Sequence, residues 1–374
     1  MEAAQVLNTH EIDDLPYTLP INLGLNDGTF CPKQCISVMQ AHTSRTSLRH
    51  YTTAENEPLL EVIADKDGVK AENIYLANGS GPLLKQCIPY LIKEQIKSSP
   101  TRVLRHFING RGFPIISGHL TYFKVPFKGM DSGLTIRLLP LGDDMKLQVA
   151  DVEAELKKQD ALVYICNPNN PTGRLMMERD EIEGLVKRFP KSIFWVDEAY
   201  VQYMPPELHQ PVSDLVTKYD NLLVSRTFSF AYGLAGSRMG YLLAPAKMVE
   251  TFKGQVTNYR FGTLQEALAI AALTDPDHLN ELREITERDR NELMEVLRSF
   301  EGVEAYDSHT HFILVRFTDD RTGAWMAEEL LKRGIKIKKF PGVQQYNYDE
   351  YFRITLGIRS ENQYLIEQLK ALLG

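Results

Sequence analysis

The stretch ALVYICNPNNPTG, residues 161–173, joins a run of apolar residues to a loop rich in asparagine and proline. The run Ala161–Ile165 is short, uncharged and rich in β-branched and aromatic residues, which is typical of a strand inside a parallel sheet. In the loop that follows, two prolines restrict the backbone, and the asparagine amides can donate hydrogen bonds to a ligand oxygen. From the residues alone, this loop is either a rigid turn or a ligand-binding loop.

Similar apolar runs on both sides of this stretch predict an α/β fold. Between about residues 73 and 245, β-rich runs alternate with helical stretches, a pattern typical of a mainly parallel sheet with helices on both faces. The predicted strands are Asn73–Ala77, Gly133–Leu139, Ala161–Ile165, Ile193–Val196, Leu222–Ser225 and Gly240–Leu243. A helix is predicted over Pro82–Ile92, with proline in its first turn. Open parallel sheets bind ligands beyond the carboxyl ends of their strands, so the loops there are the candidate site.

The length of 374 residues predicts one large domain and one smaller domain. Residues 1–40 contain no obvious core element and are interpreted as an arm that packs on the small domain or on a second subunit. Residues 41–263 form the predicted large domain, and residues 264–374 form a predicted small α+β domain. The predicted elements of the small domain are helices over 276–299, 323–333 and 361–373, and strands over 311–317, near Lys336 and near Phe352.

Composition and charge exclude several classes of partner. The net charge of −7 argues against a nucleic-acid binder, which needs a basic face. No apolar run approaches the ~20 residues that span a bilayer, so no membrane partner is expected. The four cysteines lack the spacing of metal ligands, and the first residues lack a signal-peptide pattern, which favours a metal-free cytoplasmic protein. A small molecule is therefore the expected ligand.

Two further loops follow predicted strands. The loop Asn78–Pro82 lies between a strand and a helix start, where backbone N–H groups and the helix dipole favour a phosphate, although such a loop can also be only a turn. In the second loop, Asp197 stands at the tip of a buried strand. A carboxylate there is costly without a cationic partner, and a protonated ring nitrogen is one such partner. The alternative role for Asp197 is a helix cap.

Taken in this order, the three loops resemble the fold-type-I pyridoxal-phosphate enzymes, and most closely the histidinol-phosphate aminotransferase branch. The resemblance covers nearly the whole chain, and it implies the seven-stranded, mainly parallel sheet of an aspartate-aminotransferase-like large domain. The other segments that carry the resemblance are Leu25–Gly28, Arg49–Tyr51, Ala77–Ser80, Asp197–Tyr200, Ser225–Arg238 and Phe352–Thr355.

The resemblance implies a role for each residue of a cofactor site. Asp197 would pair with the pyridine nitrogen and make the ring an electron sink. Asn170 and Tyr200 would hold the phenolic oxygen, and Tyr122 would stack on the ring unless it is an ordinary core tyrosine. The residues implied for the phosphate are Ser80, Gly81, Thr227, Ser229 and Arg238.

The resemblance also implies a second subunit and a substrate clamp. Tyr51 matches a tyrosine that reaches the phosphate of the neighbouring subunit, which implies a homodimer with shared sites. Arg353 matches an arginine that binds a substrate carboxylate in a bidentate manner, unless it is a simple surface charge. Asn26 is assigned to the same substrate side.

One departure from the family decides the mechanism: Phe230 stands where these enzymes carry a lysine, eight residues before Arg238. That lysine tethers the aldehyde cofactor and moves the proton during transamination. Phenylalanine does neither, and general acid–base help of this kind contributes roughly 10²–10⁴-fold. Gly81-Pro82 replaces an expected acid pair, and His311 replaces an expected asparagine, so the site differs from the family at several positions.

Two histidines are candidate replacements for the lysine. His309 and His311 are predicted on one face of a strand near the substrate side, and an imidazole has a suitable pKa for proton transfer. The alternative is that both are structural residues held by hydrogen bonds. Lys85 and Lys124 are weaker candidates, because neither lies at a strand tip.

Three functions remain open at this stage. The first is an aminotransferase-like enzyme that binds pyridoxal or pyridoxamine phosphate without a covalent bond and acts on a small amino or keto metabolite. The second is a non-catalytic partner subunit. The third is an enzyme that has lost the cofactor and uses the phosphate cup for its substrate.

Overall fold

The computed structural model describes residues 12–52, 55–110, 112–122, 125, 134–256, 260–340, 342 and 346–374. The strands in these ranges are β1 (Ile21–Asn22), β2 (Ile74–Ala77), β3 (Ile115–Gly118), β4 (Ile136–Leu139), β5 (Leu162–Cys166), β6 (Ile193–Asp197), β7 (Leu222–Thr227), β8 (Gly240–Leu243), β9 (Val303–Ala305), β10 (Phe312–Phe317), β11 (Ile335–Lys336), β12 (Lys338–Lys339) and β13 (Tyr351–Thr355). The helices are α1 (Lys33–Ala41), α2 (Glu57–Asp67), α3 (Ser80–Lys97), α4 (Pro100–Asn109), α5 (Val149–Lys158), α6 (Arg179–Arg188), α7 (Ala246–Gln255), α8 (Thr263–Thr274), α9 (His278–Arg298), α10 (Gly323–Lys332) and α11 (Arg359–Leu373).

The central sheet has seven strands in the order β2-β8-β7-β6-β5-β3-β4. Its neighbouring strands are parallel except for β8, which runs antiparallel to both β2 and β7. Consecutive residues of β6 belong to different apolar clusters, Phe194 and Val196 to one and Ile193 and Trp195 to the other. Because successive side chains of a strand point to opposite faces, both faces of the sheet are covered. The predicted α/β fold is confirmed.

In the central sheet, the predicted strands agree with the structure to within a few residues, with one omission. Strand β3 was not predicted, although all four of its residues are buried. Gly133, the first residue of the predicted Gly133–Leu139 strand, lies outside the described residues, and the observed strand begins at Ile136. Helix α3 begins at Ser80 and ends at Lys97, so it is longer at both ends than the predicted Pro82–Ile92 helix.

The C-terminal part forms a second, antiparallel sheet in the order β12-β13-β10-β9. Side chains of this sheet and of α9, α10 and α11 form an apolar cluster of their own. Two residues near the start of the chain, Ile21 and Leu23, belong to that cluster, and β1 pairs with β11. The prediction that residues 1–40 hold no core element was therefore wrong for this segment, while residues 1–11 lie outside the described ranges. The boundaries of the domains remain predictions.

A buried ion cluster joins the sheet to helix α2. The guanidinium of Arg226 donates to Glu198 Oε2 at 2.7 Å and forms an ion pair with Asp67. The hydroxyl of Tyr241 donates to the other oxygen of Asp67 at 2.8 Å. Loss of one partner from a buried ion pair costs about 3–5 kcal/mol, because it leaves an uncompensated charge. The cluster thus holds β7, β8 and the end of β6 against α2.

Candidate functional site

The carboxyl ends of β5, β6 and β7 meet at one edge of the central sheet. Asp197, the last residue of β6, lies opposite Cys166 of β5 and Ser225 of β7. The loop after β5 carries Asn170, and the turn after β6 carries Tyr200. Parallel strands therefore bring together residues that are far apart in sequence.

Asp197 is a buried carboxylate whose described hydrogen-bond partners are uncharged. The hydroxyl of Tyr164 donates to Oδ2 at 2.8 Å, and that of Ser225 donates to Oδ1 at 2.9 Å. Burial raises the pKa of Asp197 to about 6, although these hydrogen bonds and the Ala199 amide act in the opposite direction. A protonated ring nitrogen beside Asp197 would supply the cation that favours its ionised form.

The hydroxyl of Tyr200 is held by two amides. Asn26 Nδ2 donates to it at 2.8 Å, and Asn170 Nδ2 donates to it at 3.0 Å. All three side chains are buried. A tyrosine hydroxyl that accepts two hydrogen bonds still has its own proton to donate, so this arrangement suits an oxygen of a ligand.

Arg353 is a buried cation whose hydrogen-bond acceptors in the described part of the chain are uncharged. Its NH1 donates to Asn170 Oδ1 at 2.7 Å, and its NH2 donates to the carbonyl of Gly24 at 2.8 Å. Its Nε is buried with no hydrogen-bond partner among the described residues, and burial lowers the pKa of the guanidinium to about 10. The alternative of a simple surface charge is wrong, because Arg353 is 5% exposed. An unpaired buried guanidinium favours an anionic ligand.

Asn26 connects this arginine to the rest of the site. Its Oδ1 accepts a hydrogen bond from the hydroxyl of Thr355 at 2.9 Å, two residues beyond Arg353 in β13. Its Nδ2 reaches Tyr200, as described above. Asn26 therefore bridges the antiparallel sheet and the turn after β6, and its predicted role on the substrate side stays a prediction.

The residues predicted to hold a phosphate lie at one corner of the central sheet. Gly240 of β8 pairs with Ala77 of β2 on one side and with Thr227 of β7 on the other. Helix α3 starts three residues after Ala77, with Ser80 and Gly81 as its first two residues. The hydroxyl of Thr227 donates to Ser229 Oγ at 2.9 Å and accepts from the Ser229 amide at 3.1 Å.

Arg238 lies against the start of α3. A Cβ added to Gly79 would come within 2.7 Å of Arg238 NH2, and Gly79 has a positive φ of 89°. A Cβ added to Gly81 would have no atom within 4 Å, so the space beside it is open. The first amides of a helix lack intrahelical partners and carry the positive end of its dipole. Together with the Arg238 guanidinium, they can bind a phosphate at this corner.

Tyr122 and Tyr51 have very different surroundings. Burial raises the pKa of Tyr122, followed by the charge of Asp197, while Arg353 and Arg238 act in the opposite direction. Tyr122 therefore lies within electrostatic reach of both ends of the candidate site. Tyr51 is fully exposed, at a groove that is also lined by Arg260–Gln265. Its predicted contact with a neighbouring subunit stays a prediction.

Phe230, at the predicted lysine position, belongs to an aromatic group. Its half-buried ring stacks on Tyr200 with centroids 4.6 Å apart and an interplanar angle of 13°. A Cβ on Gly28 would collide with the carbonyl oxygen of Phe230, so the segment before α1 packs closely against this turn. The side chain beside the Tyr200 hydroxyl network is thus apolar.

His311 also belongs to this group. Its ring stacks on Tyr203 with centroids 4.4 Å apart and lies 6.1 Å from the Phe230 ring. Its Nε2 lies 3.2 Å from the Asn26 carbonyl, while its buried Nδ1 has no partner among the described residues. Burial lowers the pKa of His311 to about 3, so the imidazole is neutral. The predicted strand began at His311, but β10 begins at Phe312.

The other candidate bases are placed less favourably. The pKa of His309 is lowered by burial and then by nearby charges. The charged residues around it are not those of the candidate site but Arg174, Arg290, Lys146 and Asp307. His309 precedes β10, so the prediction that both histidines lie in a strand was wrong. Lys85 is exposed on α3, and Lys124 lies outside the described residues.

The structure adds site residues that were not predicted from the sequence. Tyr164 and Ser225 bind Asp197, Thr355 binds Asn26, and Tyr203 stacks on His311. The sequence feature that could have predicted such a residue is a hydroxyl group within an otherwise apolar strand, as at Tyr164. Within the described ranges, no group of three potential metal ligands occurs, and no helix is long and apolar enough to cross a bilayer.

Comparisons with known proteins find the same similarity along most of the chain. The family model for aminotransferase class I and II matches residues 20–369. A histidinol-phosphate aminotransferase of Thermococcus gammatolerans is 31% identical over 328 residues, covering 88% of this chain and 84% of that protein. One from Thermoanaerobacter sp. (strain X514) is 28% identical over 374 residues, covering 100% and 98%. The crystal structure of histidinol-phosphate aminotransferase from Sinorhizobium meliloti in complex with pyridoxal-5'-phosphate has a TM-score of 0.77 at 23% identity, covering 100% of both chains.

Proposed function

This chain belongs to the class I and II aminotransferase family, and from that premise we propose that it binds pyridoxal phosphate or pyridoxamine phosphate without a covalent bond. We further propose that it acts on the amino or keto group of a small metabolite that carries a carboxylate or a similar anion. One observation carries this proposal: the site contains a buried carboxylate and a buried guanidinium whose described partners are uncharged.

The two unpaired charges complement a cofactor and a substrate. Asp197 lacks a cation, which a protonated pyridine ring provides, and Arg353 lacks an anion, which a substrate carboxylate provides. Burial of an unpaired charge is costly, so a fold with no ligand gains nothing from this pair. When bound, the cofactor supplies a ring that withdraws electrons from the substrate carbon.

The side chains around the ring have separate roles in this proposal. Asp197 would keep the ring nitrogen protonated, since its own hydrogen bonds from Tyr164 and Ser225 fix its position. Tyr200 would donate its free proton to the phenolic oxygen, while Asn26 and Asn170 hold the hydroxyl in place.

The phosphate would be bound at the corner where α3 begins. Arg238 would contribute two parallel N–H donors, and the amides of Ser80 and Gly81 would contribute the positive end of the helix. Thr227 and Ser229 would add hydroxyl donors from the adjacent turn. Gly79 leaves room for the Arg238 side chain, which supports a cradle at this position.

On the substrate side, Arg353 would orient a carboxylate, and Tyr122 would stack on the ring. The resemblance to the family supports a homodimer in which the exposed Tyr51 reaches the phosphate of the other subunit. Dimer formation would therefore complete each site.

Phe230 removes both functions of the lysine, so proton transfer must use another group or be slow. His311 lies beside Asn26, and with Nε2 donating to the Asn26 carbonyl its buried Nδ1 is left as a hydrogen-bond acceptor. With a pKa near 3 it is a weak base, and we propose that it accepts a hydrogen bond from substrate or water. His309 has less support as the group that transfers the proton, because its charged neighbours are not residues of the candidate site.

The deciding experiment is a titration of the purified protein with pyridoxal phosphate and, separately, with pyridoxamine phosphate, followed by visible absorption. We expect saturable binding of one molecule per chain, and no mass increase after borohydride treatment. Asp197→Asn should weaken binding of both compounds. Asp180→Asn, an exposed carboxylate at the start of α6, is the matched control and should bind normally.

Two other outcomes would favour the alternatives. If neither compound binds at millimolar concentration, the proposal fails, and a non-catalytic partner subunit or a cofactor-independent enzyme is favoured. Binding of inorganic phosphate that depends on Arg238, in a protein that binds neither cofactor, would select the cofactor-independent enzyme.

A further inference from the structure

Helix α4, Pro100–Asn109, turns its apolar face outward. Leu104, Phe107 and Ile108 are 60%, 82% and 71% exposed. These positions are three and four residues apart, so they form one continuous face of the helix. Surface helices normally turn such a face toward the core, and here the orientation is reversed.

Polar contacts on the opposite face fix this orientation. Arg102 NH2 donates to Asp160 Oδ2 at 2.7 Å, and its NH1 donates to Gln95 Oε1 at 2.6 Å. The same guanidinium lies 4.9 Å from the centroid of the Phe113 ring. Rotation of the helix to bury Phe107 would break these contacts. The exposed apolar face is therefore a stable feature of the folded chain.

The charge around this face is positive, opposite in sign to the chain as a whole. Helix α4 carries Arg102 and Arg105 and no acidic residue, whereas the net charge of the chain is −7. Lys93 and Lys97 are exposed at the end of the preceding helix, where Glu94 pairs with Lys97. Over residues 93–109, the sequence has four basic side chains and one acidic side chain. Arg102 pairs with Asp160 on the opposite face and Lys97 pairs with Glu94, so Arg105 and Lys93 supply the excess positive charge near the apolar face.

We infer that α4 is a membrane-surface contact that lies in the headgroup region of a bilayer containing anionic lipids. A helix with one apolar face, basic flanks and little overall hydrophobicity has the composition of interfacial helices. The headgroup region accepts protruding side chains such as Phe107 without a complementary groove, and basic residues are attracted to anionic lipids. The lack of a long apolar run in the sequence argues against a segment that spans a membrane. A helix that lies on the membrane surface does not need such a run.

A second copy of the chain fits this face less well. Two copies that met through α4 alone would bring the exposed Arg105 of each chain close together, which is a repulsion of like charges. A face of three side chains also covers only a few hundred Å², whereas a stable protein interface buries about 1,200–2,000 Å². The net negative charge elsewhere does not prevent membrane contact, because charges more than about 10 Å away are largely screened by salt.

The test is co-sedimentation of the full-length protein with vesicles at about 0.1 M salt, where charges more than about 10 Å apart are screened. One vesicle preparation contains phosphatidylcholine alone, and the other contains equal parts of phosphatidylcholine and phosphatidylglycerol. We expect binding to the anionic vesicles at millimolar lipid, at least tenfold weaker binding to neutral vesicles, and loss of binding at 0.5 M salt, since surface charges are screened.

Two matched substitutions locate the contact. Phe107→Glu should reduce binding to anionic vesicles at least tenfold, because it places a negative charge in the apolar face. Leu208→Glu makes the same kind of change at another exposed side chain, 60% exposed, and should bind like the unchanged protein. Circular dichroism and cofactor titration verify that both variants are folded.

Three results would overturn the inference. The first is that the unchanged protein does not sediment with anionic vesicles at about 0.1 M salt. The second is that Phe107→Glu binds these vesicles as well as Leu208→Glu does. The third is that the protein does not bind vesicles and that Phe107→Glu lowers its molecular mass in solution without lipid. That result would mean that an oligomer dissociates and would identify α4 as a contact between proteins.

Discussion

The ring of Phe230 lies parallel to the ring of Tyr200, with centroids 4.6 Å apart. Stacked aromatic pairs contribute about 0.5–1.5 kcal/mol beyond their buried area. Tyr200 is therefore held at its ring by Phe230 and at its hydroxyl by Asn26 and Asn170. The side chain of Phe230 therefore supports a residue of the proposed cofactor site.

Phe230→Lys should convert non-covalent binding of pyridoxal phosphate into covalent binding. The reason is that an amine at this position would lie beside Tyr200, at the residue predicted to align with the family's lysine. Borohydride treatment followed by mass spectrometry should detect one fixed cofactor per chain. Phe230→Leu, which also removes the ring but adds no amine, should give no adduct. A lysine variant that binds cofactor without an adduct would contradict the alignment of Phe230 with the family lysine.

Asp197→Asn should change how stability depends on pH in the cofactor-free protein. Burial raises the pKa of Asp197 from 3.8 to about 6, so the folded chain favours the protonated form. This contribution to the free energy of unfolding is complete below about pH 4 and is lost as the pH rises through about 6. The loss is on the order of 3 kcal/mol.

Urea denaturation of both proteins between pH 4 and pH 8 measures this effect. The difference between them isolates Asp197, because the other titrating groups are shared. Saturating cofactor should reduce the loss in the unchanged protein, since the ring would supply a cation. Parallel curves for the two cofactor-free proteins would argue that Asp197 has an ordinary pKa.

Arg353→Met should weaken recognition of carboxylates with a modest loss of stability. The guanidinium is buried with uncharged acceptors, so its removal leaves no unpaired carboxylate behind, but Asn170 Oδ1 and the Gly24 carbonyl each lose a donor. A hydrogen bond to a charged group contributes about 1.5–3 kcal/mol, which corresponds to roughly 10–150-fold weaker binding. Calorimetric titration with small amino and keto acids measures this change.

Arg353→Lys is the companion variant, because it keeps the charge but cannot form two parallel hydrogen bonds. We expect it to bind carboxylates with intermediate affinity. Equal affinities for all three proteins would place the carboxylate site elsewhere.

Gly79→Ala should weaken binding of the cofactor phosphate by about tenfold or more. The added Cβ would lie 2.7 Å from Arg238 NH2, and the φ of 89° disfavours any side chain. Displacement of the Arg238 guanidinium would cost about one charge-assisted hydrogen bond. Gly254→Ala is the control, because a Cβ at Gly254 would have no atom within 4 Å. Unchanged affinity in Gly79→Ala would mean that Arg238 does not bind the phosphate.

The strands of the central sheet were predictable because buried parallel strands are nearly continuous apolar runs. Strand β3 escaped prediction because Ile115–Gly118 offers only two large apolar residues before a serine and a glycine. The small sheet was predictable for Phe312–Phe317 but not for the short Val303–Ala305, which has a charged residue at its centre. Short strands depend on pairing with neighbours, which a local pattern does not report.

The site was predictable only where a residue matches a family motif. The roles proposed for Asp197, Asn170 and Arg353 came from such matches. Tyr164 and Thr355 make contacts that depend on strand register and on packing between the two sheets, so no local pattern predicts them. The low pKa of His311 was also beyond prediction, since it follows from burial against Tyr203.

Asp197 and Glu198 are neighbours in sequence but have different partners. Of these two carboxylates, Glu198 pairs with Arg226, whereas Asp197 binds Tyr164 and Ser225. The stability of the folded chain therefore depends on the charge of Glu198, and it does not depend in this way on the charge of Asp197. An apolar side chain of similar size at residue 197 would avoid the desolvation of a carboxylate. Mutational scanning scored by folding alone should tolerate leucine better at 197 than at 198, so stronger rejection of leucine at 197 in a scan scored by cofactor binding would report on the ligand.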